Sequence, residues 1–440
     1  MAVASPLLAT PLMILLVALA CTGATAQQLM LLPPPQRLEL KTLQPGARLK
    51  PDGWSVVQQP APAAGEVAMD VLVEGFKTRF GVSLSSHSAT SATSDAHASP
   101  GNCVTLLVRP GLVAVDGTPR DRAASQLADQ AYKLSIAPGN ITISANADHG
   151  ATLGVFTLMQ IVSSQLNAST TENTENRSGW NLPALRISDW PDLARRVIYW
   201  DDNHHLEKLD TLKAAILNAA YFKATGFAIK LNGHFQFQTV PAAVEPYALS
   251  AQELQELTNY GLRHHVEVIP YLDAPGHISW LLKHPEHKGL RSYPQSNFHM
   301  CTTSPDAVEM YRKLAGELIA ANQGVKNFIL STDEAYYVGL ANTSQCDSAK
   351  RTAALGNSLQ THGIIFKIIL SCYSYPVLLE SLGTVGLVLA EFVTTIYKFL
   401  DTHGRQVQIW GLSLSLSLSS SLSLSLSLSL SLSLSLSLSL

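Results

Sequence analysis

A chain of 440 residues, 46% hydrophobic and 14% charged, is long enough for two domains with separate cores and has the composition of a globular protein with a lightly charged surface. Its net charge of −3, with no basic run, leaves no electrostatic case for a nucleic-acid partner or for docking on an anionic membrane surface.

Taken from the start, residues 7–20 form an apolar run followed by Ala24-Thr25-Ala26, a small-residue cleavage pattern. Residues 1–26 are therefore expected to be a signal peptide and the protein to be secreted or lumenal in the secretory pathway. Asn-x-Ser/Thr tripeptides at Asn140, Asn167, Asn176 and Asn342 agree with that compartment. Residues 27–182 read as a small α/β domain with its linker. Val67, Val71, Leu72 and Phe76 make one helical face, and residues 104–108 make a strand. Two alternating runs around Pro138-Gly139-Asn140 predict a hairpin with Tyr132, Leu134 and Ile136 on one face, and a helix over about 149–166 is expected to cover it. The polar stretches 83–101 and 167–179 read as loops.

From Arg195 the texture changes to short apolar strands separated by helices, the pattern of a parallel sheet or barrel. Strands are predicted over 195–201, 227–232, 266–273, 327–334 and 406–411. Helices are predicted over 206–220 and over 250–265, the second capped by Ser250 with Glu253 three residues on. Polar residues recur where these strands finish: Asp201, Asn232, Asp273 followed by His277, and the adjacent pair Asp333-Glu334. That recurrence points to a site on the carboxyl-end rim of a (β/α)8-type barrel, with paired carboxylates as equipment for acid chemistry. Only five strands can be counted, so the barrel is expected to be truncated. Within 183–411, residues 357–390 interrupt the pattern with a nearly apolar segment broken by Lys367 and Glu380, a poor membrane span. Residues 412–440 are almost pure Leu-Ser alternation and read as low complexity.

Setting Cys21 aside with the leader leaves Cys103, Cys301, Cys346 and Cys372, whose spacing matches no zinc pattern. A Cys301–Cys346 bond is the favoured pairing, and four free buried thiols are the alternative. The histidine pairs His204-His205 and His264-His265 read as solvated helix ends. No metal or cofactor is implied.

The residues 131–166, the run LPALRISDWPDLARRVIYWD, VIPYLDAPGH and the Asp333-Glu334 pair together resemble the family 20 glycoside hydrolases, the β-N-acetylhexosaminidases, over about 31–356. The resemblance implies a small α/β domain ahead of a catalytic (β/α)8 barrel and substrates that are N-acetylhexosamine-containing glycans, with no nucleic acid or membrane as partner. It also implies substrate-assisted hydrolysis with retention, an exception to the usual two-carboxylate scheme. By resemblance Glu334 is the general acid and Asp333 orients the 2-acetamido group, while Arg196, Asp273, His277 and Trp410 contact the sugar. Lys230, Asn232 and His234 stand where the family's second-strand His-x-His is usual. Two alternatives stay open: a truncated, catalytically dead relative with weak sugar binding, and an ordinary glycosidase using separated carboxylates such as Asp273 and Glu334.

Overall fold

The computed structural model describes residues 29–64, 66–87, 102–116, 124–168, 179–205, 207–340, 342–343, 345–357, 377–410 and 417–418. The expected signal peptide, the loop tripeptide at Asn176, Cys372 and nearly all of the Leu-Ser repeat lie outside them. The chain divides into two compact units. One takes residues up to Pro62 with Ala68–Val113 and Ala131–Trp190, and the other takes Ala63–Val67, Ala114–Gln130 and Pro191 onward.

In the first unit, strands β1 (Arg37–Leu40), β3 (Trp54–Gln59), β4 (Leu84–His87), β5 (Asn102–Val108), β6 (Tyr132–Ala137), β7 (Asn140–Ala145) and β9 (Leu185–Asp189) form one sheet in the order β1-β9-β6-β7-β5-β3-β4. A separate ribbon pairs β2 (Ala47–Leu49) with β8 (Trp180–Leu182). The hairpin forms as its sequence demands. Ala137 faces Asn140 across a two-residue turn, and Gly139 takes φ +68°, a conformation glycine adopts without steric cost. Tyr132, Leu134 and Ile136 are buried on one face. Helix α1 (Ala68–Phe80) packs against helix α2 (Asp148–Ala168), and α2 covers β6 and β7. The stretch Leu185–Asp189, which the sequence places with the second domain, returns to this sheet between β1 and β6. Buried Asp189 there accepts a hydrogen bond from the Tyr132 hydroxyl at 2.9 Å.

The second unit carries a mixed α/β layer. Strands β10 (Val197–Asp201), β11 (Gly226–Lys230), β12 (Glu267–Asp273), β13 (Asn327–Ser331) and β14 (Gln406–Trp410) run parallel in chain order. A short strand, β15 (Ser417–Leu418), adds antiparallel to β14. Among the described residues this sheet is open and no barrel closes. Side chains alternate across it with period two. One face carries Phe227, Ile229, Val268, Leu272, Phe328, Leu330 and Val407, all buried. Helices α3 (Leu209–Tyr221), α4 (Ala251–Arg263), α5 (Pro305–Ala320) and α7 (Val377–Thr402) contact this layer. The Ser250 hydroxyl accepts from the Glu253 amide at 3.2 Å, and the Glu253 carboxylate accepts from the Ser250 amide at 2.8 Å, closing the predicted cap of α4.

Helix α7 begins inside the segment read as an interruption. From Val388 its buried residues recur every four positions (Val388, Phe392, Ile396, Leu400), and Phe392 meets Tyr311 of α5 edge to face at 6.1 Å. Helix α6 (Ser348–Asn357) also packs on it, with Arg351 forking onto Glu391. No helix among the described residues is long and apolar enough to cross a membrane.

Candidate active site

The site-bearing face of the second sheet is fixed by strand parity. Registers Tyr199–Ala228–Ile269, Asp201–Lys230–Tyr271–Ile329–Gln408 and Asp273–Ser331–Trp410 place these residues on one side. Ala228, Ile269, Tyr271 and Ile329 cluster as its apolar floor. Each of the five parallel strands ends on a residue of this face: Asp201, Lys230, Asp273, Ser331 and Trp410. Since the strands run parallel, all five fall along one carboxyl-end rim.

Beyond that rim the chain turns sharply. The Ala274 amide donates to Ser331 O at 2.8 Å and the Met300 amide to Pro275 O at 2.9 Å, so the turn after β12 is held from both sides. Gly276 is required for space. A Cβ there would lie 2.7 Å from Asp333 O and 3.2 Å from Glu334 O, so only a residue without a side chain lets the acid loop seat against this turn. His277 and Glu334 both adopt positive φ, +55° and +51°. Such left-handed conformations are costly for these residue types and collect at functional sites.

This packing brings His277 to the acids. Its Nε2 lies 3.2 Å from a Glu334 carboxylate oxygen and 4.0 Å from an Asp333 oxygen, and all three side chains are part-exposed. Strand β13 stops at Ser331, so Asp333 and Glu334 sit in a loop and escape the opposite-face rule that would separate adjacent residues of a strand. Phe298 closes one side of the group, edge to face with His277 at 4.9 Å and stacked on Tyr336 at 6.5 Å. The Tyr336 phenol is hydrogen-bonded to Glu334, which pushes its pKa up.

The other half of the rim is charged and aromatic. Lys230 Nζ sits 2.8 Å from Asp273 and 3.9 Å from Asp201, and the Tyr199 hydroxyl donates to Asp201 at 3.0 Å. Burial pushes the Asp273 carboxyl up, against the pull of Lys230. Burial likewise raises the Tyr199 and Tyr271 phenols well above their ordinary range. Trp410 is 48% exposed and lies parallel to Tyr199 at 5.7 Å, with Tyr271 edge-on at 6.4 Å. The three rings make an apolar wall beside polar groups, the usual lining of a small-ligand site. Behind the rim Asp202 is fully buried, 3.7 Å from His234, and burial pushes its pKa up to about 7.

Of the six predicted site residues, His277 lies within 4.0 Å of both Asp333 and Glu334, and Asp273 and Trp410 end strands of the same rim. Arg196 does not join them. It precedes β10, so it lies at the amino end of the sheet, where its guanidinium donates to Lys223 O at 2.7 Å, Leu193 O at 2.6 Å and the Gln130 side chain at 2.7 Å. Asn232, expected at the end of β11, lies past it in a helical turn with φ +48°, and Lys230 holds the strand-end position. Sequence reasoning gave no site role to Tyr199, Tyr271 or Asp202. Strand parity with Asp201 and Asp273 is the signal that marks the two tyrosines.

Cys301 and Cys346 are bonded, and both are buried. The bond ties the loop after Glu334 to the segment carrying Phe298, its two ends separated by 45 positions in the sequence. Cys103 is free and buried. Among the described residues no three His, Cys, Asp or Glu side chains are grouped so as to hold a metal ion.

Comparison with known proteins agrees with this architecture. The family model described as glycosyl hydrolase family 20, domain 2, matches residues 28–190, and that described as glycosyl hydrolase family 20, catalytic domain, matches residues 179–416. A β-N-acetylhexosaminidase of Cellulomonas fimi is 27% identical over 167 residues, which span 34% of this chain and 32% of that protein. Among solved structures, a chitobiase from Flavobacterium johnsoniae superposes with a TM-score of 0.59 at 17% identity, covering 87% of this chain and 52% of its own. An exo β-N-acetylglucosaminidase from Vibrio harveyi, solved with N-acetylglucosamine, superposes at 0.60 and 16% identity, covering 86% of this chain and 54% of its own. The chain thus spans about a third of that curated relative and about half of these two solved structures.

Proposed function

The chain belongs to glycosyl hydrolase family 20, and from that premise we propose that it hydrolyses terminal N-acetylhexosamine residues of glycans by a substrate-assisted, retaining mechanism. One observation carries the reading: His277, Asp333 and Glu334 converge at 3.2 and 4.0 Å on a rim lined by Tyr199, Tyr271 and Trp410. Glu334 gives its proton to the glycosidic oxygen as the bond to the anomeric carbon breaks. The substrate's own acetamide oxygen attacks that carbon from the opposite face, and Asp333 holds the acetamide N–H and balances the positive charge that develops. Water then opens the bicyclic intermediate, with Glu334 taking its proton back, and configuration is retained. His277 orients Glu334, Asp273 accepts from sugar hydroxyls, and Trp410 offers its exposed face to the ring. Arg196 has no part in this scheme.

Glu334→Gln tests it. General acids contribute about 10²–10⁴-fold, so turnover of an N-acetylglucosaminide with a poor leaving group should fall by that order, and an activated aryl leaving group should lose far less. Equal losses on the two substrates, or none, would contradict the assignment.

A second reading has an observation of its own. On β10, Val197, Ile198 and Tyr199 are 37–43% exposed across both faces of the strand. An apolar strand edge left this open is a surface for pairing or association, unusual for a closed catalytic barrel, and the second reading is a chain that binds sugars weakly without turning them over. Saturable binding of N-acetylglucosamine with no hydrolysis of any aryl N-acetylhexosaminide would select it.

A further inference from the structure

The strand-end lysine is not among the groups the proposed mechanism uses, yet it is the most deeply placed cation of the rim. Its side chain is 8% exposed and that of Asp273 only 2%. Burying a charge is costly unless it is paired, and this one is shared between carboxylates on the two strands that flank its own. The Tyr199 hydroxyl fixes Asp201 from the far side at 3.0 Å, and the Tyr271 ring lies 5.8 Å from the ammonium. Asp273 in turn begins the turn whose Ala274 and Pro275 are held by backbone bonds and whose Gly276 receives the acid loop.

We infer that Lys230 is a positioning residue of this site: its ammonium, clamped between Asp201 and Asp273, holds Asp273 in place and through it sets the turn that presents His277 to Asp333 and Glu334. The inference rests on the reading above only in giving Asp273 and His277 a task. Lys230 touches no reacting atom, so its effect passes through Asp273. The other titratable groups facing Asp273 or its neighbours are Asp201 and Tyr199 from β10, Tyr271 on its own strand, His277 in the turn, Tyr311 from α5 and Asp333 from the acid loop. Of these only the part-exposed His277 opposes the penalty that burial places on the Asp273 carboxylate, with a hydrogen bond from Ser331 and, above both, Lys230 itself acting in the same direction.

The sign follows from linkage. A carboxyl whose folded pKa lies above its unfolded one binds its proton more tightly when folded, so stability falls as pH rises between the two values. Removing Lys230 moves the folded value higher and carries that loss to higher pH. The experiment compares wild type, Lys230→Met, Lys230→Arg and the double variant Lys230→Met/Asp273→Asn. Unfolding midpoints are measured from about pH 5 to about pH 8, alongside kcat/KM on an aryl N-acetylglucosaminide. Lys230→Met should lose stability across this range more steeply than wild type, Lys230→Arg should follow wild type, and the double variant should lose the extra slope. In activity, the acid limb of Lys230→Met should move to higher pH, so that its kcat/KM is about tenfold below wild type at the acid end of the profile and recovers as pH rises. Parallel unfolding profiles for Lys230→Met and wild type, or an Arg variant as impaired as the Met variant, would overturn the inference. If Lys230→Met does not fold, the double variant decides: its folding supports the clamp and its failure refutes it. An inactive wild type whose unfolding profiles diverge as described would sink the proposed function and leave the role of Lys230 standing.

Discussion

Gly276→Ala isolates the seating of the acid loop from every other property of the site. The substitution adds one methyl group, changes no charge, and asks nothing new of the backbone, because Gly276 is not in the left-handed region. The added Cβ would meet Asp333 O at 2.7 Å, Glu334 O at 3.2 Å and the Phe298 ring at 3.3 Å. Ordinary carbon contacts begin near 3.4–3.5 Å, so the backbone of the acid loop must retreat by about 0.7 Å. The flanking Ala274 and Pro275 hydrogen bonds prevent the turn itself from giving way. Overpacking of this kind costs about 1–3 kcal/mol, a fall in unfolding midpoint that leaves the protein folded. Catalytic groups need to be held within about 0.5 Å, and misplacement on the order of 1 Å costs about 10²-fold, so kcat should drop by about 10- to 100-fold. The assay is steady-state hydrolysis of an activated aryl N-acetylglucosaminide, paired with thermal unfolding of the same preparation. A variant that unfolds earlier by the expected amount yet retains wild-type kcat would refute the argument that Gly276 sets the position of Asp333 and Glu334.

In the proposed mechanism Asp333 serves the acetamide and not the leaving group, so Asp333→Asn should depress activated and poor substrates by similar factors, unlike Glu334→Gln; loss confined to poor leaving groups would exchange the two roles. Replacing Cys301 and Cys346 together by serine releases a loop of 45 residues and should lower stability by about 4 kcal/mol, read from denaturant midpoints at constant slope. Asp202, fully buried and pushed up to about 7, binds its proton more tightly in the folded protein. Its contribution to stability is whole below about pH 4 and is lost as pH rises toward 7. Asp202→Asn should remove that component from a midpoint-against-pH series, and identical slopes in variant and wild type would show that the carboxyl does not titrate there.

The elements of this chain are legible because its strands are short, apolar and covered on the helix side. Runs such as Phe328-Ile329-Leu330 leave little choice of assignment, and all five parallel strands lie within a few residues of where the sequence places them. The site is legible to the degree that chain direction is respected. Arg196 precedes its strand, and in a parallel sheet a residue before the strand falls at the amino end; the likeness of one motif to another hid a constraint that direction alone imposes. Asp273 and His277 follow theirs, and both reach the rim. What the sequence conceals is where a strand stops. Reading β13 through to Glu334 would send Asp333 and Glu334 to opposite faces, whereas its end at Ser331 frees both to approach one histidine. Reading β11 through to Asn232 hides Lys230 in mid-strand, although its register partners Asp201 and Tyr271 mark it as part of the same face. The stop is set by contacts that sequence periodicity does not encode: a carbonyl of Trp410 accepting from Thr332, and Gly276 leaving room for the loop. Sheet closure is illegible for a related reason. Alternation within a strand says which face is inward, but the fate of the outer edges of β10 and β14 depends on pairing partners far away in the chain. Here β14 receives an antiparallel strand, and β10 remains an edge among the described residues.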